Sequence, residues 1–340
     1  FMSLYAITVL IYFFAFPNSS AYDLRSLLFP FYCMFTGYLC NHLNMEKFSR
    51  HFKMAAVMST LIALCLYCFG PDLLIRLKLL EYTEQARGAF GYVKSGLPSG
   101  FFSFFGPFDL FRLGGGIMNP VAMGVITIFA FAILFGGEIS TERKNPIWIY
   151  WVLILASLMT FSRGPIIGGI FGLIFGLILW RKKISFSTRK KFRGIGLLFL
   201  LLIVLGMTVL KSAFVSSVNM EDGSSMGHYV ALVQSWEYVK RNWMGAGVGA
   251  SGQWITSHVD VAGENSYGML VGQVGIVAFF FLAVCYFFMF RNLLRQKDHF
   301  LSFGLFFSFV MLLINGFFSP GLFAVAPLTL FWFLVGYFET

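Results

Sequence analysis

The sequence predicts an all-α fold: a polytopic integral membrane protein, one membrane domain over residues 1–340, with a large helical outer loop. Two observations carry this prediction. Of the 340 residues, 58% are hydrophobic and only 12% are charged, whereas a soluble domain has about 25% charged residues. The apolar residues also occur in long runs that approach the roughly 20 residues of a membrane-spanning helix. Lipid is therefore the expected main solvent, which excludes a soluble protein.

The apolar runs predict about ten transmembrane helices in the visible sequence. A backbone in contact with lipid must satisfy its own polar groups, so helices are the expected form. The predicted spans are residues 2–16, 27–41, 54–70, 119–136, 147–161, 164–180, 194–210, 268–290, 300–315 and 321–338.

The distribution of lysine and arginine predicts how these spans are oriented in the membrane. Loops 42–53, 137–146, 181–193 and 291–299 are alternate connections on one side of the membrane, and they hold 15 of the 25 basic residues. With the five acids of that side its net charge is +10, which equals the charge of the whole chain. The positive-inside rule places this side, with both observed termini, in the cytoplasm. The excess of basic residues is therefore explained by the orientation of the chain in the membrane, and it gives no reason to expect a nucleic-acid partner.

Two long polar stretches, residues 71–118 and 211–267, fall on the outer side. Long loops in a compact protein are usually functional or disordered, and the aromatic and aliphatic content of these two argues against disorder. Residues 71–87 predict an amphipathic helix at the outer interface, with a plain connecting helix as the alternative. Residues 225–243 predict a second amphipathic helix, which ends at the glycine-rich GAGVGASG.

Arg163 lies in TFSRGPIIGG, between two apolar stretches with almost no loop to hold it. An arginine at membrane depth is costly and by default indicates a functional site. Its guanidinium suits bidentate binding of phosphate or pyrophosphate. The structural alternatives are snorkelling to the interface and an ion pair.

A second candidate is FRLGGGIMNP, where Arg112 precedes three glycines and Asn119-Pro120 opens a span. Asparagine suits the N-cap and proline the first helical turn. The glycines allow backbone amides to approach a ligand, and a helix N-terminus favours an anion. A turn followed by a helix cap explains the same residues without any ligand.

The outer loop 211–267 contains two candidates for proton transfer, His228 and Glu264. Each has a structural alternative: His228 as polar surface, and Glu264-Asn265-Ser266 as the cap of the following helix. His258 and Asp260 are too few for a metal site. We therefore expect no metal and no other cofactor.

Four pieces occur in a recognisable order over residues 110–290: RLGGGIMNPVAMG, TFSRGPIIGG, GHYVALVQSWEYVKRNWMGAGVGASG and ENSYGMLVGQVGI. With them the sequence resembles the O-antigen polymerase/ligase superfamily of bacterial membranes, the Wzy-type polysaccharide polymerases and WaaL-type O-antigen ligases. The resemblance implies about twelve helices and a large periplasmic or extracellular loop. It also implies a metal-independent glycosyltransferase in the cytoplasmic (inner) membrane that uses lipid-diphosphate-linked glycans.

The resemblance also implies roles for individual residues. It assigns pyrophosphate contact to Arg163. Glu264 stands where ligases often carry a catalytic histidine, and Gly227-His228 stands where a second arginine is common, which favours the polymerase branch. Glu264 is the first choice for the base and His228 the second. Further candidates for binding pyrophosphate or glycan are Arg112, Arg241, Asn119 and Asn265.

The resulting prediction is a polymerase of undecaprenyl-diphosphate-linked oligosaccharide repeat units, making capsule, exopolysaccharide or O-antigen outside the membrane. Its donor and acceptor are lipid-linked glycans, and a flippase and a chain-length regulator are possible partners. Ligation of the glycan to lipid A core or protein is the alternative within the family. A transporter or flippase is the alternative of another class, and it predicts midspan charges and internal repeats with broken helices.

Overall fold

A computed structural model describes residues 1–16, 21–40, 45–78, 93–94, 97–98, 101–105, 108–114, 119–141, 145–185, 188, 223–250, 265–319 and 325–338. The predicted helical class is confirmed. The helices are α1 Met2–Ala15, α2 Ala21–Leu39, α3 Met45–Cys68, α4 Gly70–Arg76, α5 Pro120–Thr141, α6 Ile147–Met159, α7 Arg163–Leu179, α8 Gly223–Arg241, α9 Ser266–Arg295, α10 Ser302–Phe318 and α11 Val325–Phe338.

The apolar helices make this a membrane-embedded protein. By length and composition, three of the described helices are able to cross a membrane: His51–Cys68, Pro120–Ser140 and Ser266–Arg295. Shorter apolar helices accompany them, at Met2–Ala15, Ile147–Met159, Arg163–Leu179, Ser302–Phe317 and Leu328–Phe338.

Nine of the ten predicted spans coincide with helices, and the tenth, 194–210, lies outside the described residues. The number of true membrane crossings therefore stays a prediction. A helix in the region predicted at 225–243 is confirmed as α8, and its amphipathic character stays a prediction. Of the helix predicted at 71–87, only the part within α4 is described.

Two short antiparallel hairpins, absent from the sequence prediction, lie in the polar stretch 71–118. Strand β1 Val93–Lys94 pairs with β2 Leu97–Pro98, and β3 Phe102–Phe105 pairs with β4 Phe108–Phe111. The buried side chains of Leu74, Leu97 and Phe101 form an apolar cluster beneath them. The hairpins thus belong to a packed structure and connect α4 to the residues that precede α5.

The chain divides into two compact units. The first contains Phe1–Asn44, Ile167–Trp180 and Gly227–Thr340, and the second contains Met45–Ile166 and Arg181–Met226. Each unit has its own packing.

In the first unit, α7 and α10 approach closely because glycines face the partner backbone. A Cβ atom at Gly168 would lie 2.5 Å from the Met311 carbonyl oxygen, and one at Gly172 would lie 2.5 Å from that of Phe307. Small residues of this kind allow helix backbones to pack together where lipid gives no hydrophobic driving force.

In the second unit, a buried cluster joins α3, α5 and α6 with the segment after the hairpins. Its members are Ala63, Leu113, Met123 and Ala156. Leu113 is 1% exposed and directly follows Arg112. The cluster therefore fixes the backbone that carries a predicted site residue.

Candidate anion-binding site

The turn between α6 and α7 is short and internally bonded. The Thr160 hydroxyl donates to the Ser157 carbonyl at 2.6 Å, and the Phe161 N–H donates to the Leu158 carbonyl at 2.9 Å. Phe161 has a φ of 48°, a left-handed conformation that is uncommon outside glycine and costs about 1–3 kcal/mol. Thr160 and Ser162 are buried. The turn therefore presents fixed polar atoms immediately before Arg163.

The backbone at Arg112 is held from two directions. Its N–H donates to the Phe101 carbonyl at 2.8 Å, and the next N–H, of Leu113, donates to the Met159 carbonyl at 2.9 Å. The following Gly114 lies so close to the Phe101 ring that a Cβ would overlap it. This segment therefore joins the second hairpin to the C-terminal end of α6.

The Arg112 side chain reaches the α6–α7 turn. Its Nε donates to the Thr160 carbonyl at 2.8 Å, and its Nη2 donates to the Ser162 hydroxyl at 2.8 Å. Burial, and then the positive charge of Arg163, lower the pKa of Arg112 to about 10. The guanidinium is still protonated at neutral pH, so two positive groups lie near each other at the start of α7.

The start of α5 lies against the same turn. The Asn119 Oδ1 accepts from the N–H groups of Val121 and Ala122 at 2.9 and 3.1 Å, which makes Asn119 the predicted cap of α5. One turn later, a Cβ at Gly124 would lie 3.1 Å from the Thr160 Oγ1 and 3.4 Å from the Pro165 Cβ. The N-terminal ends of α5 and α7 are therefore neighbours.

These features together make a candidate anion site in the second unit. Arg112 and Arg163 supply positive charge and planar donor groups that match phosphate oxygens. The N-terminal ends of α5 and α7 add the positive ends of two helix dipoles. Sequence reasoning found both arginines and the cap, but it missed Thr160 and Ser162, which orient Arg112. Within the described ranges, no three His, Cys, Asp or Glu side chains come together as metal ligands.

The remaining predicted site residues belong to the first unit. The buried Asn265 caps α9, its Oδ1 accepting from the N–H groups of Tyr267 and Gly268 at 2.9 and 3.3 Å. The capping alternative is therefore confirmed for this residue. Arg241 is the exposed last residue of α8. Glu264 lies outside the described residues, and so does the side chain of His228, whose backbone belongs to α8.

The first unit also contains an apolar cavity of about 180 Å³. Residues on both sides of the break in α9 line it; the helix is broken at Gly275, where φ is 76° and ψ is 174°. Its walls are formed by Ser266, Tyr267, Leu270, Phe279, Leu282, Ala283, Tyr286 and Leu313.

Comparison of the chain with family models, curated proteins and solved structures found no match. The chemistry of the site is therefore argued from its own residues and from the motif resemblance.

Proposed function

We propose that this chain is a membrane glycosyltransferase that polymerises glycan repeat units carried on a lipid diphosphate. The observation that carries the proposal is the Arg112 guanidinium, fixed by Thr160 and Ser162 near the charge of Arg163. A diphosphate is an anion whose oxygens suit such donors. The motif order of the sequence supplies the second support, since it resembles a superfamily that uses lipid-diphosphate-linked glycans.

The proposed reaction is a substitution at the anomeric carbon of the donor glycan. A hydroxyl oxygen of the acceptor sugar attacks that carbon, and the bond from the carbon to the diphosphate oxygen breaks with its electron pair. The lipid diphosphate leaves with increased negative charge. Arg112 and Arg163 stabilise this charge through charge-assisted hydrogen bonds.

The acceptor hydroxyl loses its proton as it attacks, so the reaction needs a base. We assign this role to Glu264 first and to His228 second, because a carboxylate or an imidazole accepts a proton at neutral pH. Both assignments come from the sequence. Arg241 and Asn265 are proposed glycan contacts, and the capping bonds of Asn265 leave it with a structural task as well.

The proposed location is the bacterial cytoplasmic membrane, with the arginine site facing outward and both observed termini in the cytoplasm. The distribution of basic residues supports this orientation, since the predicted cytoplasmic loops carry the whole +10 excess. Lipid-linked donor and acceptor glycans then meet the site from the outer leaflet. A flippase that delivers them and a chain-length regulator are proposed partners.

Ligation to lipid A core or protein is the alternative within the same chemistry, and the two differ only in the acceptor. Transport is the alternative of another class, and a broken helix such as α9 is a feature that it predicts. The break has no acidic or basic residue between Leu270 and Ala278. The Gly272 and Gln273 carbonyls at the break, of the kind that coordinate ions in transporters, already accept from the Ala246 and Gly247 N–H groups. Glycosyl transfer is therefore the better-supported function.

Reconstitution of the full chain with undecaprenyl-diphosphate-linked repeat units tests the proposal. We expect a ladder of lengthening glycan on the lipid carrier, lost in an Arg112→Ala, Arg163→Ala double variant and in Glu264→Gln. Arg76→Ala is the matched control, because Arg76 is an exposed arginine of the same unit and is expected to leave the ladder intact. Transfer to a different acceptor would identify a ligase. A wild-type protein that moves the lipid across the bilayer without extending the glycan would refute glycosyl transfer.

A further inference from the structure

Helix α9 gives up internal hydrogen bonds at its break. In a continuous α-helix each N–H donates to the carbonyl four residues earlier, so Ile276 would donate to Gly272 and Val277 to Gln273. Gly275 has non-helical dihedral angles, and the Ile276 N–H donates elsewhere. The Gly272 and Gln273 carbonyls consequently need other donors, because unpaired backbone groups in an apolar interior are costly.

Residues 243–249, which we call the glycine loop, supply the replacement partners. Three backbone hydrogen bonds connect them to α9: from Ile276 N–H to the Trp243 carbonyl at 2.9 Å, from Ala246 N–H to the Gly272 carbonyl at 2.9 Å, and from Gly247 N–H to the Gln273 carbonyl at 3.0 Å. The Trp243 carbonyl of the loop thus accepts from the Ile276 N–H, which has lost its acceptor within the helix. Two N–H groups of the loop donate to the two carbonyls that the break exposes. The N–H groups of Ala246 and Gly247 donate to carbonyls of α9. They do not point at a phosphate, as the N–H groups of a phosphate-binding loop do.

The Gln273 side chain adds a fourth connection. It is fully buried, and its Oε1 accepts from the Gly249 N–H at 2.8 Å. This contact fixes the orientation of the amide, since only the oxygen accepts from an N–H. The Nε2 has no hydrogen-bond partner in the part of the chain that the structure describes. Gln273 therefore anchors the loop at the cost of an unsatisfied donor.

Only glycine fits where the loop meets the break. Gly245, Gly247, Gly249 and Gly275 all have φ between 76° and 106°, a region that L side chains rarely adopt. A Cβ at Gly245 would lie 2.6 Å from the Gly275 nitrogen, and one at Gly275 would overlap the Met244 carbonyl oxygen. Glycine at these positions is thus required for the two backbones to approach.

We propose that the glycine loop and the break of α9 form a two-state latch, in which docking of the loop and breaking of the helix are one event. In the docked state the three backbone bonds and the Gln273 contact hold the loop on the break. In the undocked state α9 is continuous, and its own N–H groups pair with the Gly272 and Gln273 carbonyls. The Ile276 N–H and the carbonyls of Gly272 and Gln273 are satisfied in both states, while the loop groups released by undocking bond to water. Such an exchange gives two discrete arrangements.

The latch sets the position of the first part of α9, residues 266–274. In the docked state the Ser266 hydroxyl donates to the Ser319 carbonyl at 2.8 Å, and the Tyr267 hydroxyl donates to the Leu313 carbonyl at 2.6 Å. The apolar cavity between the two parts of α9 exists because of the bend. Straightening of α9 therefore removes the cavity and moves the cap Asn265. The latch goes beyond the proposed glycosyl transfer and does not depend on it.

Backbone hydrogen exchange of the full chain in nanodiscs, read by mass spectrometry, tests the latch. Gly275→Ala places a side chain where it overlaps the loop, and alanine favours a helical backbone over glycine. We expect exchange at least tenfold faster in peptides covering 243–249 and slower in peptides covering 272–279. Gly137→Ala is the matched control, because a Cβ at this glycine of α5 meets nothing within 4 Å. It is expected to change neither stretch.

A second variant keeps the test decisive if Gly275→Ala lowers the folded yield. Gln273→Met has a similar shape but lacks the oxygen that accepts from Gly249, so it weakens docking without a clash. We expect faster exchange in 243–249 and slower exchange in 272–279, as for Gly275→Ala but to a smaller extent. Faster exchange in both stretches would show that the contacts are merely structural and would overturn the latch. Unchanged exchange in both variants would overturn it as well.

Discussion

Replacing Ser162 with alanine removes the hydroxyl oxygen that accepts from the Arg112 Nη2 at 2.8 Å. A hydrogen bond to a charged group contributes about 1.5–3 kcal/mol. Arg112 keeps some exposure to solvent and keeps its bond to the Thr160 carbonyl, so we expect the low end, a loss of about 1.5 kcal/mol in the free energy of unfolding. A bound diphosphate must then order the loosened side chain, which costs about 0.5–1.5 kcal/mol. Its affinity should therefore fall about two- to thirteenfold.

Titration with SDS in mixed micelles measures the free energy of unfolding, and calorimetry with inorganic pyrophosphate measures the affinity. Ser140→Ala is the matched control, because the Ser140 hydroxyl of α5 is a buried group with no hydrogen-bond partner among the described residues. Because an unpaired buried hydroxyl contributes no stability, its removal should lower neither quantity. If Ser162→Ala and Ser140→Ala behave alike in both assays, the turn does not position Arg112 and the reasoning fails.

Three further predictions concern the same unit and the helix packing. Asn119→Ala removes the acceptor of two N–H groups and should cost about 0.5–2 kcal/mol of unfolding free energy, while Asn119→Asp keeps the cap and should cost less; SDS titration measures both. Gly168→Leu forces a side chain against the Met311 carbonyl and should lower the thermal midpoint of solubilised protein, whereas Gly137→Ala should not. Because the pKa of Arg112 is lowered to about 10, the affinity for sulfate, an anion whose own charge does not change in this range, should be constant from pH 8 to 9 and fall as the pH rises through about 10. A flat profile to pH 11 would contradict that shift.

Local features of the site were predictable from sequence. Asn119-Pro120 before an apolar run predicts a capped helix because a cap depends only on neighbouring residues. Arg163 between two apolar stretches indicates a site because charge at membrane depth is costly. The structure has the capped helix start at Asn119-Pro120 and begins a helix at Arg163. The role of Arg163 stays a prediction.

Contacts between distant residues were not predictable in this way. Arg112 and Ser162 are 50 positions apart, and no periodicity or spacing relates them. The hairpin at 102–111 was missed because its aromatic residues were interpreted as part of a loop. The Gly106-Pro107 pair between two aromatic runs was the available signal, since two-residue connections containing glycine are typical of hairpins.

The break of α9 was also missed. GQVGI lies within a long apolar run, and hydropathy alone indicates a continuous span. The helix breaks because the glycine loop offers partners for its backbone, and that exchange depends on residues about 30 positions earlier in the chain. A glycine inside an apolar run signals a possible close approach of another backbone, but it does not identify that backbone.

A double-mutant cycle on pyrophosphate binding tests the central claim, that Arg112 and Arg163 form one anion site. The dissociation constant is measured for the wild type, Arg112→Ala, Arg163→Ala and the double variant, with Arg76→Ala as control. Residues that share a ligand couple by about 0.5–3 kcal/mol, so we expect each single variant to weaken binding at least tenfold and the double variant to lose less than the sum. Strictly additive effects, or binding that survives in the double variant, would contradict the account.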